Sequence, residues 1–470
     1  MRIKFCGAAG TVTGSSHLMT LGSGKTILLD CGLFQGVGKD TWDLNNTWHF
    51  EPQSIDYLIL SHAHIDHTGR VPQMVKDGFK GKIFSTHATR SLCGIMLMDS
   101  AYIQERDVEY YNTRLIRKRS KDKWDQLRHP LYVAEHVNQT MGLFVSIHYD
   151  TWIEICPGVR LQYTDAGHIL GSAGVNLEIR EDGKTTRLAF SGDIGRPNRP
   201  ILRDPQPMHP ADVVITESTY GDKEHETGPA EYDRFLSIIK RTCVQNGGKL
   251  IIPAFSIGRT QEIVYILDRL AGSGRLPKIP VYVDSPLAVD ATDIYRNHPE
   301  CFDDELNRYL QVDPNPFGWK TLHYTRSVEE SKALNTSKTP CIIISSSGMI
   351  EFGRIRHHLY NNIEDKRNAF LLVGYCSPES PGGQLKNGAK TIKMFGDIKE
   401  VRAEVYAMDS FSAHGDRREM RDVLLNQKGR ARHLFLVHGE PDRQHAYKAF
   451  LEGDGFRGIH IPKLGEEVDL

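Results

Sequence analysis

One stretch constrains this chain more than any other. The apolar run IDYLILS, ending at Ser61, feeds without a break into His62-Ala63-His64-Ile65-Asp66-His67. A continuous apolar run of that length reads as a buried strand, and a strand end is a rigid platform for ligating side chains. In extended chain the side chains at i and i+2 share a face, so His62 and His64 can grip one ion. Asp66 and His67 follow in the turn, where they can address a second ion beside the first. Imidazole and carboxylate donors without thiolate fit zinc, with manganese as the usual alternative. A surface histidine cluster is the plainer account, and burial of the preceding strand argues against it.

Four ligands do not complete two sites, so further donors are expected at strand ends downstream. TDAGHILGS places His168 just after the strand pattern VRLQYTDAG, and LAFSGDIG places Asp193 after another. A carboxylate can bridge two cations, which makes Asp193 the natural link between them. Asp30, closing TILLD, is suited to accept hydrogen bonds that orient the ligands. A lone strand-end aspartate is more often a turn former. Here the ensemble carries the reading.

The organisation along the chain points to α/β architecture. RIKFCGA, SHLMTL and TILLDCG read as short strands, with Gly22-Ser23-Gly24 as a hairpin turn between the last two. Residues from about His87 to Asn138 read as helical, and Trp152 to Asp193 returns to strands. After Pro205, DVVITES, KLIIPAF, PVYVDSP, TPCIIISSSG and NAFLLVGY alternate with helical stretches, the pattern of a parallel sheet covered on both faces. Strand-rich character resumes with VRAEVYAMDSFSAHGD and ARHLFLVHGE. The expected domains are therefore 1–205 and 407–470 as one unit, interrupted by an insert at 206–406.

Composition narrows the class. Lys plus Arg total 58 against 59 Asp plus Glu, so no global basic field exists and any nucleic-acid contact needs a local patch or bound metal. The eight cysteines include no CxxC pair, which argues against a disulfide framework or a thiolate zinc site. No signal-peptide core and no apolar run of the roughly 18 residues a membrane helix needs is present. The expectation is a soluble cytoplasmic protein.

In order, Asp30, His62/His64/Asp66/His67, His168 and Asp193 resemble the motifs of the metallo-β-lactamase superfamily. TESTYGDK with Glu217, FSAHGD with His414 and FLVHGE with His438 resemble motifs A, B and C of its β-CASP nuclease branch. KLIIPAFSIGRTQE, VYVDSPLA and ISSSGM look like segments of that branch's inserted domain. The resemblance spans essentially the whole chain, and the nearest look is to prokaryotic relatives of the nuclease subunit that cuts pre-mRNA before polyadenylation. It implies an αββα sandwich carrying a β-CASP insert on a mostly parallel sheet. It further implies that His62, His64, His168 and Asp193 bind one zinc, and that Asp66, His67, Asp193 and His438 bind the other. His414 would be the general acid held by Glu217, with Asp66 counted among the catalytic groups as well as the ligands. The sequence departs from the family's usual SAHAD at Gly415, and carries Cys376 where relatives commonly have Gln.

Such a constellation suits phosphodiester hydrolysis. Two dications would turn the formal charge of −1 into +3, concentrated at one place. The resemblance implies a zinc-dependent ribonuclease acting on single-stranded RNA, because DNA-directed relatives tend to have Val at the position of His438. The rival readings are a DNA nuclease of the same family and a small-ester or thioester hydrolase on the same scaffold. Oligomeric state and processing-complex partners are left open, as is endonuclease against exonuclease action. Two strand-to-helix junctions can offer amides to phosphate: Ser256 with Arg259, and Ser346-Ser347-Gly348. Ordinary helix capping accounts for both equally well from local sequence. The run Arg114 to Lys123 holds six basic residues and one acidic one, read first as a solvated helical face and second as an RNA track.

Overall fold

The computed structural model describes residues 1–36, 40–117, 127–225, 230–374, 376–408 and 412–470. The chain divides into two compact units: Met1–Pro197, Asp204–Glu224 and His414–Leu470 form the first, and Asn198–Arg203 with His225–Ala413 form the second.

The first unit opens with β1 (Arg2–Phe5), β2 (His17–Thr20), β3 (Thr26–Leu29), β4 (Tyr57–Ile59), β5 (Lys82–Thr86) and β6 (Phe144–Ile147). β1 to β3 form an antiparallel meander, with the Gly22–Gly24 segment turning between β2 and β3, and β3 to β6 run parallel. A second sheet follows with β7 (Ile153–Cys156), β8 (Val159–Asp165), β9 (Ala173–Glu181), β10 (Lys184–Phe190) and β11 (Val213–Thr216). The inserted unit carries β12 (Lys249–Pro253), β13 (Val281–Val283), β14 (Leu322–Tyr324), β15 (Cys341–Ser345), β16 (Ala369–Leu372), the hairpin β17 (Thr391–Met394) and β18 (Asp397–Glu400), and β19 (Glu404–Ala407). The chain then returns with β20 (His433–Leu436), β21 (Ile459–His460) and β22 (Glu467–Asp469). These last strands complete both early sheets: β22 pairs with β1, and β20 pairs with β11.

The result in the first unit is two seven-stranded sheets, ordered β22-β1-β2-β3-β4-β5-β6 and β21-β20-β11-β10-β9-β8-β7. Alternation along each strand sends one set of side chains between them. Ile3, Phe5, Ile27, Leu29 and Ile59 from one sheet meet Leu161, Val175, Phe190, Ile215 and Phe435 from the other in a single buried cluster. Helices Arg417–Leu424 and Pro441–Gly453 cover the second sheet's outer face, where Met420, Leu424, Tyr447 and Leu451 join Val214, Leu434 and Leu436. The 31-residue helix His87–Arg117 follows β5 and contacts β5 and β6. The layers are αββα.

The inserted unit holds a six-stranded sheet, β14-β13-β15-β12-β16-β19, with every pairing parallel. Its central strands β12 and β15 are buried at every residue, as parallel strands covered on both faces must be.

Two expectations change. DVVITES, read as the first strand of the insert, is β11 of the first unit, lying parallel between β10 and β20. A fully apolar strand suits either parallel sheet, so its pattern could not assign it. The helical stretch from His87 also breaks: the long helix is described over His87–Arg117, residues 127–133 are not helical, and a separate helix spans Ala134–Met141. From position 118 to 123 the basic run lies outside the described residues. Among the described residues, no helix is long and apolar enough to cross a membrane.

Asp268, on helix Arg259–Gly272, is buried and accepts a hydrogen bond from the Tyr309 hydroxyl at 2.9 Å. Burial raises its pKa to about 6, with Tyr309 opposing and Asp313 adding to the rise. The folded state therefore holds this proton more tightly than the unfolded chain, whose aspartates titrate near 3.9. Its stabilisation is full below that value and is lost as pH rises through 6. Going from pH 5 to 7.5 should cost the wild type about 1 kcal/mol that Asp268→Asn does not lose. Urea midpoints of both proteins at both pH values check this, and parallel shifts would contradict it.

Candidate metal centre

β4 ends at Ile59, and the chain bends at Ser61 and carries His62 and His64 on an irregular segment before one helical turn, Ile65–Thr68, which holds Asp66 and His67. The expected turn is thus helical. From the second sheet, His168 follows β8, Asp193 follows β10, and His438 lies two residues past β20. These residues converge. The nearest atoms of His62, His64, His168 and Asp193 lie within 4.8 Å of one another, as do those of Asp66, His67 and His438. Asp193 joins the two groups: one carboxylate oxygen is 3.5 Å from His62 Nε2 and 3.6 Å from His168 Nε2. The other oxygen is 3.3 Å from His67 Nε2 and 3.6 Å from His438 Nδ1.

Asp30 sits beneath them, fully buried and at φ +58°, a left-handed backbone that aspartate tolerates better than most residues. Its carboxylate accepts from the Ser61 amide (2.8 Å), the Ser61 hydroxyl (2.9 Å) and the Ser15 hydroxyl (3.1 Å), and pairs with His67 Nδ1 at 2.7 Å. Because the Ser61 proton goes to the carboxylate, the 3.1 Å contact between Ser61 Oγ and His62 Nδ1 requires the ring to donate. Both rings then donate through Nδ1 and turn Nε2 toward Asp193. Ser15 and Ser61 escape sequence reasoning because serines are too common to single out.

The electrostatics favour cations. Burial lowers His62 and His168 well below the ordinary imidazole range and His64 to about 4. Burial opposes ionisation of Asp193 too, but His438, His67 and His62 hold its carboxyl well below the usual range. His67 goes the other way: burial opposes its charge, and Asp193 with Asp30 pushes its pKa well up. The cluster thus pulls positive charge into a dry site.

The donor atoms fit metal ions. His64 Nδ1 lies 3.1 Å from His62 Nε2 and 3.2 Å from His168 Nε2, and one proton cannot serve both contacts. Converging imidazole lone pairs call for a cation. His67 Nε2 and Asp193 Oδ1 are shut off from solvent with no hydrogen-bond partner, although buried polar atoms are nearly always paired. Nitrogen and oxygen donors in two groups sharing one carboxylate are compatible with a dinuclear site.

Beside this cluster, His414 Nδ1 faces both oxygens of the buried Glu217 at 3.1 and 3.2 Å and lies 3.9 Å from Asp193. The Ile194 amide anchors Glu217 at 2.5 Å. Burial opposes the charged ring, but Glu217 and Asp193 raise its pKa to about 9. The FSAHGD loop is firmly held, although Phe411 lies outside the described residues. Gly415 donates to the Ile194 carbonyl at 2.8 Å, and Asp416 caps the next helix in a reciprocal box with Glu419. A β-carbon at Gly415 would lie 3.2 Å from the Gly195 carbonyl, a tight fit that glycine avoids.

The expected phosphate loops belong to the inserted unit and are internally committed. Arg259 is buried, with its guanidinium on Glu262, which also binds Arg199. Ser347 spends its amide on the Phe352 carbonyl, and its hydroxyl accepts from Glu351. The helix after this loop starts only at Ile355, so Ser346-Ser347-Gly348 does not stand at its N-terminus. Ser256 and Ser346 each pair with Ser285, at 3.1 and 3.0 Å, and a β-carbon at Gly348 would meet the Phe255 ring at 2.9 Å.

Known proteins agree with this architecture. The chain matches the metallo-beta-lactamase superfamily over residues 9–224, the Beta-Casp domain over 260–385, and the Zn-dependent metallo-hydrolase RNA specificity domain over 398–462. It belongs to the β-CASP branch of the metallo-β-lactamase superfamily, and with it to the hydrolytic nucleases. It is 33% identical over 470 residues to Ribonuclease TTHA0252 of Thermus thermophilus, spanning 100% of both chains. Transcription termination factor FttA of Methanosarcina mazei is 30% identical over 452 residues, 94% of this chain and 67% of that protein. Cleavage and polyadenylation specificity factor 73 of Drosophila melanogaster is 30% identical over 480 residues, matching 100% of this chain but 65% of its own length.

Asp30→Asn turns one acceptor oxygen into a donor facing hydroxyls and a ring N–H. It should weaken metal binding about 10–100-fold, read by competition with a chromogenic chelator. Unchanged affinity would remove Asp30 from the support of the site.

Proposed function

We propose that the chain is a zinc-dependent ribonuclease that hydrolyses phosphodiester bonds in single-stranded RNA. The observation that carries this reading is the placement of a carboxylate-held histidine, His414, 3.9 Å from the carboxylate that joins the two donor groups. RNA is favoured by the histidine at position 438 and by the match to an RNA specificity domain at residues 398–462. The names of the ribonuclease from Thermus thermophilus and of the cleavage factor from Drosophila melanogaster point the same way.

In this reading His62, His64, His168 and Asp193 hold one zinc, and Asp66, His67, Asp193 and His438 hold the other. When bound, the cations supply Lewis-acid polarisation of the phosphate and acidify the attacking water. The chain's own residues handle the other end of the reaction. A departing ribose oxygen is a poor leaving group and needs a proton as its bond to phosphorus breaks. Glu217 binds His414 at Nδ1 and keeps the ring protonated, so Nε2 carries the proton to be given. The His414 side chain is 20% exposed, as is that of Asp66, whereas those of His62, His67, His168 and His438 are 4% or less, so His414 keeps an open side that most of the ligand histidines lack. A proton donor must touch substrate, and a ligand need not. Donation of this kind contributes about 10²–10⁴-fold in rate.

Purified protein should carry two zinc ions per chain. Chelation should abolish cleavage of end-labelled single-stranded RNA, and zinc or manganese should restore it. Full activity in a metal-free preparation refutes the reading.

The two histidines separate by mutation. His414→Ala should keep both zinc ions and lose about 10²–10⁴-fold in rate, roughly 3–5 kcal/mol of barrier. That loss should shrink on a nitrophenyl phosphodiester, whose leaving group needs no proton. His438→Ala should instead lower zinc occupancy, with no rescue by the activated substrate. Zinc loss in the first variant, or full occupancy in the second, overturns the assignment.

A further inference from the structure

The parallel register of β11 and β20 aligns Thr216 with Leu436, so the residues just beyond, Ser218 and Thr219, meet Val437 and His438. Side chains continue the ladder past the strand ends. The Ser218 hydroxyl donates to the Val437 carbonyl at 2.7 Å, and the Ser218 amide donates to the His438 carbonyl at 3.3 Å. The Thr219 hydroxyl contacts His438 twice, at 3.1 Å to its carbonyl and 3.0 Å to ring Nδ1. His438 is left-handed at φ +49°, and its amide is held by the Ala8 carbonyl at 2.7 Å. Thr219 is held in turn by Arg443, which donates to its carbonyl at 2.9 Å.

One hydroxyl proton must satisfy this pair of contacts. A carbonyl oxygen only accepts, so the threonine proton goes to the His438 carbonyl, and the hydroxyl lone pairs face the ring. Nδ1 then has to be the protonated nitrogen. The reverse assignment would leave two acceptor oxygens 3.1 Å apart with no hydrogen between them. With Nδ1 protonated, the lone pair of His438 lies on Nε2, the nitrogen 3.5 Å from Asp66.

We infer that Thr219 is a positioning residue that fixes the Nδ1–H tautomer of His438 and so presents Nε2 to the second cation. The inference rests on the reading of His438 as a ligand of that cation. The contrast with Glu217, two residues earlier, gives it content. Both side chains hold a histidine by Nδ1, but a carboxylate stabilises the imidazolium a proton donor needs. A hydroxyl adds no charge and, by accepting from Nδ1, fixes which way the ring presents Nε2. One short segment, Glu217 to Thr219, thus holds two similar histidines by Nδ1 with partners of different charge.

The test separates this inference from the reading on which it rests. In metal-free wild-type protein with ¹⁵N-labelled histidine, assigned by comparison with His438→Ala, His438 should be the Nδ1–H tautomer. An Nε2–H ring overturns the inference whatever metal the protein binds. Thr219→Val keeps the shape but removes the hydroxyl. It should release the tautomer and weaken binding of the second zinc about 10–100-fold, while the first stays bound. Thr219→Ser should restore both signatures. Two tightly bound zinc ions with an unchanged tautomer in the valine variant would also overturn it. If the wild type binds no zinc, the proposed function fails, and the tautomer measurement still decides the role of Thr219.

Discussion

The buried Asp30 carboxylate is the interaction on which the site hangs. A carboxylate away from water is costly unless it is hydrogen-bonded, and Asp30 gathers four donors, one on Oδ1 and three on Oδ2, from Ser15, Ser61 and His67. Those donors come from three separate segments: the loop before β2, the bend after β4, and the helical turn Ile65–Thr68. One anion thereby sets the spacing of three loops and the orientation of two rings. Neutralising it would leave the loops without a common anchor and the rings free to flip.

The second constraint is the packing of the two sheets. The histidine-rich segment extends from the first sheet, while His168, Asp193 and His438 extend from the second. The separation of the donor groups therefore depends on how Phe5 and Leu29 meet Phe190 and Phe435 in the core between them. Such interiors are close-packed and deform little, which is what a site requiring sub-ångström donor placement needs. Metal affinity and core packing are thus linked, because ions that bind only the folded arrangement stabilise it.

Much of the centre was legible in the sequence because its chemistry is concentrated. Histidines at i and i+2 after an apolar run announce a ligand platform, and Asp30, His168 and Asp193 each follow a recognisable strand pattern. The β-CASP resemblance pointed to Glu217, His414 and His438, whose roles no spacing argument could assign. Domain membership was harder to read. Val213–Thr216 is apolar throughout, and nothing local distinguishes a parallel strand of the sandwich from one of the insert. Arg259 illustrates the opposite failure: a basic residue after a strand looks available to phosphate until Glu262 is found on its guanidinium.

The sequence by itself determined which chemistry is available. Nitrogen and oxygen donors without thiolate, at strand ends of an α/β chain, restrict the ions and the reaction class before any fold is known. Tertiary structure decided which nitrogen of each ring turns toward the shared carboxylate, how His414 is held beside it, and which serines and threonines serve them. Those choices depend on hydrogen bonds between residues as far apart as Asp30 and His67, or Thr219 and His438. Hydrogen bonds tolerate only tenths of an ångström and a narrow range of angles. A sequence pattern specifies elements and faces, and only the packed sheets fix distances to that tolerance.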